Sequence, residues 1–361
     1  ILASDTNEQS DFILKIEPQI RIQKKYKDHS FLLSAQASYD QYKRHEDENS
    51  YAYRTLFNGN IVATNHVSLP FSMEYTRRLR DRTIPLIQSK ADERLAIDKF
   101  AAQAGISHRF NRLVLSLYGE YEDLKNENGR SLIDNTDVIY NDDDRSRIGA
   151  RARIKYALGS LKKPNAAEHI LFADFIYGKI AYKNRKFETT DYTGPKGDYK
   201  EYGILSGFET SYKGLLFANI GVGYKKLVYD DLSLEDNDIL NLAAEINYTL
   251  SPKLTVNFDA SRDISQDTGF TQGVILSEYG ISADYELLHD LYLGAGAAYR
   301  SFDFQTGGRK DEDVQSTVYL KHYNSRNIET GLELNHIDRT SNIPNADFDR
   351  YEILLRLIGR L

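Results

Sequence analysis

The sequence predicts an all-β fold: an antiparallel up-and-down β-barrel of eighteen strands that spans a membrane, with about sixteen strands as the alternative count. Three observations carry this. Apolar and polar residues alternate in runs of about ten residues or more, whereas soluble strands have about five or six and a tilted bilayer crossing takes about nine to eleven. Tyr occurs 26 times and Trp not at all, and the tyrosines recur at run ends on the apolar face. The breaks alternate between short turns and longer charged loops, the asymmetry of periplasmic turns and external loops.

Alternation alone does not choose the solvent, because a soluble sandwich can turn its apolar face inward. Length, tyrosine placement and loop asymmetry choose the membrane. No run of about eighteen apolar residues exists, so a transmembrane helix is excluded. A mean hydropathy of -0.54 with 27% charged residues still fits a barrel, which hides its polar half in the lumen.

The elements follow in chain order. Ile1 to Ser4 reads as the upper end of a first ascending strand, truncated at the N-terminus, and Asp5 to Ser10 as an external loop. The run Phe12 to Gln23 then descends, with Pro18 marking a bulge or weakened pairing, as Pro70 does later. Runs closing at Tyr39, Tyr75, Tyr121, Tyr224 and Tyr299 lead into long polar loops such as Arg44 to Glu48 and Asp123 to Asp144. Runs closing at Tyr156, Tyr212, Tyr248 and Tyr285 lead into shorter turns, among them Tyr212-Lys213-Gly214 and Leu250 to Lys253; Thr64 to His66 is a further short turn. These tyrosines form two aromatic belts, one per interface. The clearest run places Leu240, Leu242, Ala244, Ile246, Tyr248 and Leu250 on one face; Leu254, Val256, Phe258 and Ala260 repeat the pattern. The last hairpin turns between Thr340 and Asp347. No linker or low-complexity stretch divides residues 1–361, which read as one barrel domain.

Parity lists the lumen. In Arg147 to Leu158 the residues Ile148, Ala150, Ala152, Ile154 and Tyr156 face lipid, so Arg147, Arg151, Arg153 and Lys155 point inward as a basic ladder. The same rule turns inward Lys15, Glu17, Arg21, Glu74, Glu120, Glu209, Lys225, Glu245, Asp259, Asp284, Glu286, Glu333, Glu352, Arg356 and Arg360. A Lys or Arg facing lipid at mid-membrane costs roughly 2 to 4 kcal/mol, which enforces this direction. These charges either neutralise one another across the wall or set the selectivity of the pore.

Covalent chemistry finds little support. Cys is absent, which removes disulfides and thiolate metal sites. The eight His residues form no HExxH pair or ligand cluster, so no metal or cofactor is expected. Gly221-Val222-Gly223 and Gly294-Ala295-Gly296 lie within strands, without the helix a dinucleotide fingerprint needs, and mark curvature or close backbone approach. His336 with Ser341 and Asn342 is the one stretch suggesting an outer-membrane barrel enzyme, but His336 has outward parity and Ser341 falls in the loop. The net charge of -7 comes from acidic loops and no basic stripe suggests nucleic acid.

Ser10-Asp11-Phe12-Ile13-Leu14 leading to Pro18, with the hairpin to Tyr39 and Tyr42, resembles the start of the beta-barrel porin type 2 family. Arg339-Thr340-Ser341-Asn342 through Ala346-Asp347-Phe348-Asp349-Arg350 is similar to that family's closing hairpin. The resemblance covers nearly the whole chain and implies an exopolysaccharide-associated barrel in the bacterial outer membrane. It implies a passive conduit for a polysaccharide chain, working with a periplasmic polysaccharide-export protein and an inner-membrane polymerase and copolymerase, amid lipid and lipopolysaccharide. One departure is the C-terminal Leu361 where such barrels commonly end in an aromatic residue. A basic ladder would suit an anionic polymer and mixed charge a weakly charged one. A general diffusion porin or small-solute channel is the alternative, with Asp123 to Asp144 as its inward loop. Docking of the periplasmic partner is expected at the turn Gly159 to Glu168, through Lys162 and Lys163.

Overall fold

Each alternating run becomes a strand hydrogen-bonded to the next in sequence, and together they form one antiparallel sheet of eighteen strands. The computed structural model describes residues 10–79, 96–130, 137–138, 144–158, 168–183, 197–265, 273–305, 307–344 and 346–360. The strands are β1 (Ile13–Ile16), β2 (Gln19–Tyr26), β3 (His29–Tyr42), β4 (Ser50–Val62), β5 (Val67–Leu79), β6 (Ala96–Phe110) and β7 (Leu113–Asn126). A separate short ribbon, β8 (Gly129–Arg130) with β9 (Asp137–Val138), follows in the long loop. The sheet resumes with β10 (Arg145–Ala157), β11 (Glu168–Tyr182), β12 (Tyr199–Tyr212), β13 (Leu216–Tyr229), β14 (Asn237–Ser251) and β15 (Leu254–Ser265). It ends with β16 (Val274–Leu288), β17 (Leu291–Phe304), β18 (Lys310–Tyr323), β19 (Ile328–Ser341) and β20 (Phe348–Gly359).

The up-and-down order is the one expected and the sheet holds the eighteen strands expected, but β1 and β2 are two pieces of the single run expected over Phe12 to Gln23, so the described residues carry seventeen full runs. Proline explains the break. Ile16 pairs with Tyr39 and Gln19 with Gln36, three residues apart on both strands, so no residue is inserted at Pro18. The missing N–H weakens the ladder there without making a bulge. Pro70 does the same between β5 and β6, where Ser68 pairs with Ser107 and Phe71 with Ala104. Ile1 to Ser4 lies outside the described residues. β1 and β2 at one end and β20 at the other each pair on one side only, so the sheet is not closed among the described residues. Apolar side chains on β20 are correspondingly open, with Leu355 85% exposed.

Turn chemistry sets the tight end of the meander. Lys213 and Gly214 both adopt positive φ, 50° and 70°, as the central pair of a tight turn that the Leu215 amide closes by donating to the Tyr212 carbonyl at 2.9 Å. The β14 to β15 turn is shorter than expected: β14 runs to Ser251, leaving Pro252 and Lys253 between strands. The final hairpin likewise turns after Ser341, the last residue of β19, so Ser341 is in the strand and not in the loop.

Register keeps one face polar around the whole sheet, because residues directly opposite across a ladder point the same way. Arg21 opposes Ser34, then Leu56, Glu74, Ala101, Glu122 and Arg147 on successive strands. Ile148, Leu240 and Val222 lie on the other face, 67%, 59% and 53% exposed. Two inward rings close over glycines. A Cβ on Gly294 would stand 2.1 Å from the Tyr319 ring, and one on Gly207 would stand 2.0 Å from the Ile220 carbonyl oxygen and 2.6 Å from Phe172. Both glycines thus serve close approach, the role expected of the Gly294 segment.

Candidate functional site

The polar face holds the chemistry, and β10 dominates one sector of it. Arg147 Nη1 donates to Glu120 at 2.8 Å and its Nε to Glu201 at 3.1 Å. Arg151 reaches the other oxygen of Glu120 at 2.7 Å. Arg153 makes two parallel bonds to Asp174, both 2.6 Å, and Lys155 reaches Glu209 at 2.7 Å. Glu201 also accepts from Lys225 at 3.2 Å, and Lys225 continues to Asp263 at 2.6 Å. Lys99 pairs with Glu122 at 2.9 Å, and Arg54 with Glu74 at 2.7 Å. A cleft of about 500 Å³ runs between these groups, lined by Lys99, Glu120, Arg147, Glu201, Lys225 and Asp263 among others. The basic ladder is therefore not a bare positive stripe. Each of its four cations faces a carboxylate, which is the neutralised arrangement of the two left open by the sequence.

A second sector differs. The polar faces of β14, β15 and β16 carry Glu245, Asp259, Asp263, Glu278, Asp284 and Glu286 and no Lys or Arg. Glu245 and Asp259 stand directly opposite each other. Glu245 accepts from Asn247 at 3.2 Å, Asp284 accepts from the Tyr319 hydroxyl, and Glu286 lies 3.9 Å from His289.

The remaining polar-face residues expected from sequence are scattered. Lys15 pairs with Glu17 at 3.3 Å, Glu333 with Arg356 at 2.9 Å, Glu352 with Arg350 at 3.3 Å and Arg360 with Glu329 at 2.5 Å. Arg21, opposite Ser34, has no carboxylate within 4 Å among the described residues. Sequence reasoning missed Asp174 and Glu201, which share the parity that identified the ladder but lie on strands where no charge run drew attention. It also missed a buried network at the long-loop end of β17 to β19. There Asp313 receives Arg339 at 2.5 and 2.7 Å and Arg300 at 2.9 Å, while Arg309 Nε and Ser341 Oγ donate to Asp311 at 2.8 and 2.7 Å. The Arg339 guanidinium lies over Phe348 and Phe302, 4.9 and 5.2 Å from the ring centroids.

The belt tyrosines take the opposite face. Tyr39, Tyr75, Tyr121, Tyr156, Tyr212, Tyr224, Tyr248 and Tyr285 are exposed there, while Tyr299 is half-buried beside Tyr279, ring centroids 6.4 Å apart. Tyr224 donates to Asp238 at 2.9 Å and Tyr75 to Asp98 at 3.1 Å. His336 is on this outward face, 2.6 Å from Asp349 and stacked on Tyr351 at 4.4 Å, whereas Ser341 opposes Asp311 on the polar face. The two cannot share a proton.

Two loop carboxylates are perturbed in opposite directions. Burial disfavours ionising Asp11, but hydrogen bonds from His45 Nδ1 and the amides of Arg44, Phe12 and His45 outweigh it and hold the carboxyl at about 2. These bonds tie the start of β1 to the loop after β3. Asp144 closes the base of the β7 to β10 loop by accepting from the Asn126 amide at 2.7 Å, and burial raises its pKa. Between Asp123 and Asp144 the structure describes the end of β7 and the β8–β9 ribbon; residues 131–136 and 139–143, like Lys162 and Lys163, lie outside the described residues.

Comparison with known proteins agrees with this geometry. Among solved structures, the chain is similar to a ferric enterobactin receptor of Pseudomonas aeruginosa, with a TM-score of 0.53 and 8% identity over 96% of this chain and 64% of that one. It is also similar to the FrpB iron transporter from Neisseria meningitidis, with a TM-score of 0.50 and 6% identity over 92% of this chain and 62% of that one. The chain thus spans less than two thirds of either length, and at these identities the likeness is one of fold. No curated protein matches. The family model described as Putative beta-barrel porin 2 matches residues 1–360, so the chain belongs to that family of barrels and its place is the bacterial outer membrane.

Proposed function

We propose that this porin-family barrel is a passive outer-membrane conduit for an exopolysaccharide whose repeat carries little net charge. The observation that supports this reading is the pairing on the β10 sector, where Arg147, Arg151, Arg153 and Lys155 all meet carboxylates. A polymer passing such a wall meets no strong trap, and amides and hydroxyls such as Asn241, Asn247, Thr255, Asn257 and Ser282 offer exchangeable hydrogen bonds. Transport needs many weak sites and no tight one. The inward residues identified by parity line the path, and the belt tyrosines hold the barrel at the two interfaces. A periplasmic polysaccharide-export protein, fed by an inner-membrane polymerase and copolymerase, delivers the chain at the short-turn rim near Lys162 and Lys163.

The test is deletion of this chain from its host, with polysaccharide measured separately at the cell surface and in the periplasm and a complemented strain alongside. Surface polymer is expected to fall and return on complementation. Unchanged surface polymer with slowed uptake of small solutes would replace this reading with a second one, a diffusion channel preferring cations, which the acidic sector of β14 to β16 favours.

A further inference from the structure

Outside the lumen, the lipid-facing surface is not uniform at the long-loop rim. Tyr177, Tyr202 and Tyr224 lie on adjacent strands of the outward face, 43%, 46% and 46% exposed, and the rings of Tyr177 and Tyr202 are 5.5 Å apart. One outward step beyond each tyrosine, on the same face, stands a lysine: Lys179 on β11, Lys200 on β12 and Lys226 on β13. Two residues of strand span about 6 to 7 Å, so these ammonium groups sit just above the belt, at the depth of lipid headgroups.

Lys179 and Lys200 are direct cross-strand partners. Like charges so placed repel and destabilise a sheet. Neutralisation within the chain is slight. Lys200 lies 3.5 Å from Asp230 and Lys226 3.3 Å from Asp236, both loop carboxylates about half-exposed, and Lys179 has no carboxylate within 4 Å among the described residues. By contrast Lys225, which points the other way from its neighbour Lys226, has both its carboxylates closer than these. Across the sheet the same rim level is mainly acidic, its lysine, Lys310, lying 3.7 Å from its cross-strand partner Asp303. Glu312, Asp338 and Asp349 share the outward face of β18 to β20, with Asp338 directly opposite Asp349.

We propose that Lys179, Lys200 and Lys226 form a seat for the phosphate groups of an anionic outer-leaflet glycolipid, its acyl chains lying against Tyr177, Tyr202 and the strand below. The charge complementarity is local. A phosphate between Lys179 and Lys200 relieves their repulsion, and the acidic side of the barrel offers no equivalent seat. This inference is independent of what passes through the lumen.

The experiment compares wild type, Lys179→Gln/Lys200→Gln and the turn variant Lys253→Gln, purified in zwitterionic detergent. Melting temperature is followed as lipopolysaccharide is added, and bound lipid is counted by native mass spectrometry. Without lipopolysaccharide the double variant should melt no lower than wild type, because a repulsive pair has been removed. Lipopolysaccharide should raise the melting temperature of wild type and Lys253→Gln, and the double variant should bind it about tenfold more weakly. Equal lipopolysaccharide binding by all three proteins would overturn the proposal. So would full competition by inorganic phosphate at equal phosphate concentration, which would make the site one for free anions.

Discussion

The β10 sector and the β14 to β16 sector share strand length, alternation and lumen-facing parity, yet handle charge differently. In the first, every cation of the ladder has a carboxylate at hydrogen-bond distance, and Glu120 and Glu201 each serve two cations. In the second, the polar faces of three strands carry six carboxylates and no Lys or Arg; Asp263 reaches back to Lys225 and Glu278 opposes Arg300, whereas Glu245 and Asp259 face each other with no cation within 4 Å among the described residues. The difference teaches that a charged lumen wall is not a single property. Paired charges hold strands together and present little field, whereas Glu245 and Asp259 depend on water and mobile ions and are the charges through which the proposed conduit would discriminate between ions.

The largest expected effect breaks the paired sector. Glu201→Ala leaves Arg147 and Lys225 each short of an acceptor in a mostly enclosed site. A loss of about 3 kcal/mol of unfolding free energy is expected, measured by urea titration in lipid vesicles. Glu245→Ala in the other sector should be neutral or slightly stabilising, because it relieves the repulsion with Asp259. Equal losses for the two variants would mean the sectors do not differ.

Next comes conduction. Glu245→Gln with Asp259→Asn should lower the cation-to-anion permeability ratio in planar bilayers about fivefold, the equivalent of about 1 kcal/mol for close charges in water. Arg151→Gln should barely move the reversal potential, since its partner Glu120 stays paired with Arg147. A larger shift for Arg151→Gln than for the acidic pair would reverse the assignment.

Packing sharpens the comparison further. Gly294→Ala forces the Tyr319 ring away from its seat beside Asp284 and should cost about 1 to 3 kcal/mol. Tyr319→Phe keeps the ring and loses one hydrogen bond, for about 1 kcal/mol. If the alanine variant is the milder of the two, the ring is not seated on the glycine.

The smallest effect lies outside both sectors. The Asp11 pKa falls on folding from 3.8 to about 2, so its tether is fully present above pH 4 and lost as pH drops through about 2. Amides of Arg44 and His45 should be protected from hydrogen exchange at pH 5 and lose protection toward pH 2. Protection unchanged across that interval would show that the carboxylate does not hold the loop.

Much of the fold was legible because strand geometry has a period of two and the membrane demands one apolar face. Ile148, Ile154 and Tyr156 against Arg147, Arg153 and Lys155 could be sorted by counting, and the same count applied to β11 and β12 would have found Asp174 and Glu201. Pro18 could be read as a defect but not as which kind, since bulge and break differ only in the partner's register. Ion pairs were not legible at all. Lys155 meets Glu209 across 54 residues and two strands away, which depends on the stagger of β10, β11 and β12 together.

The sequence by itself determined the runs, their faces, the outward placement of the tyrosines and the alternation of short turns with longer loops, because each of these is local and follows from side-chain direction and solvent. Only the tertiary structure decided which charges cancel, which glycines receive a ring, and that lysines 179 and 200 stand opposite each other on the outer rim. Those outcomes rest on inter-strand register, and register is set by the summed fit of whole strands rather than by any one segment.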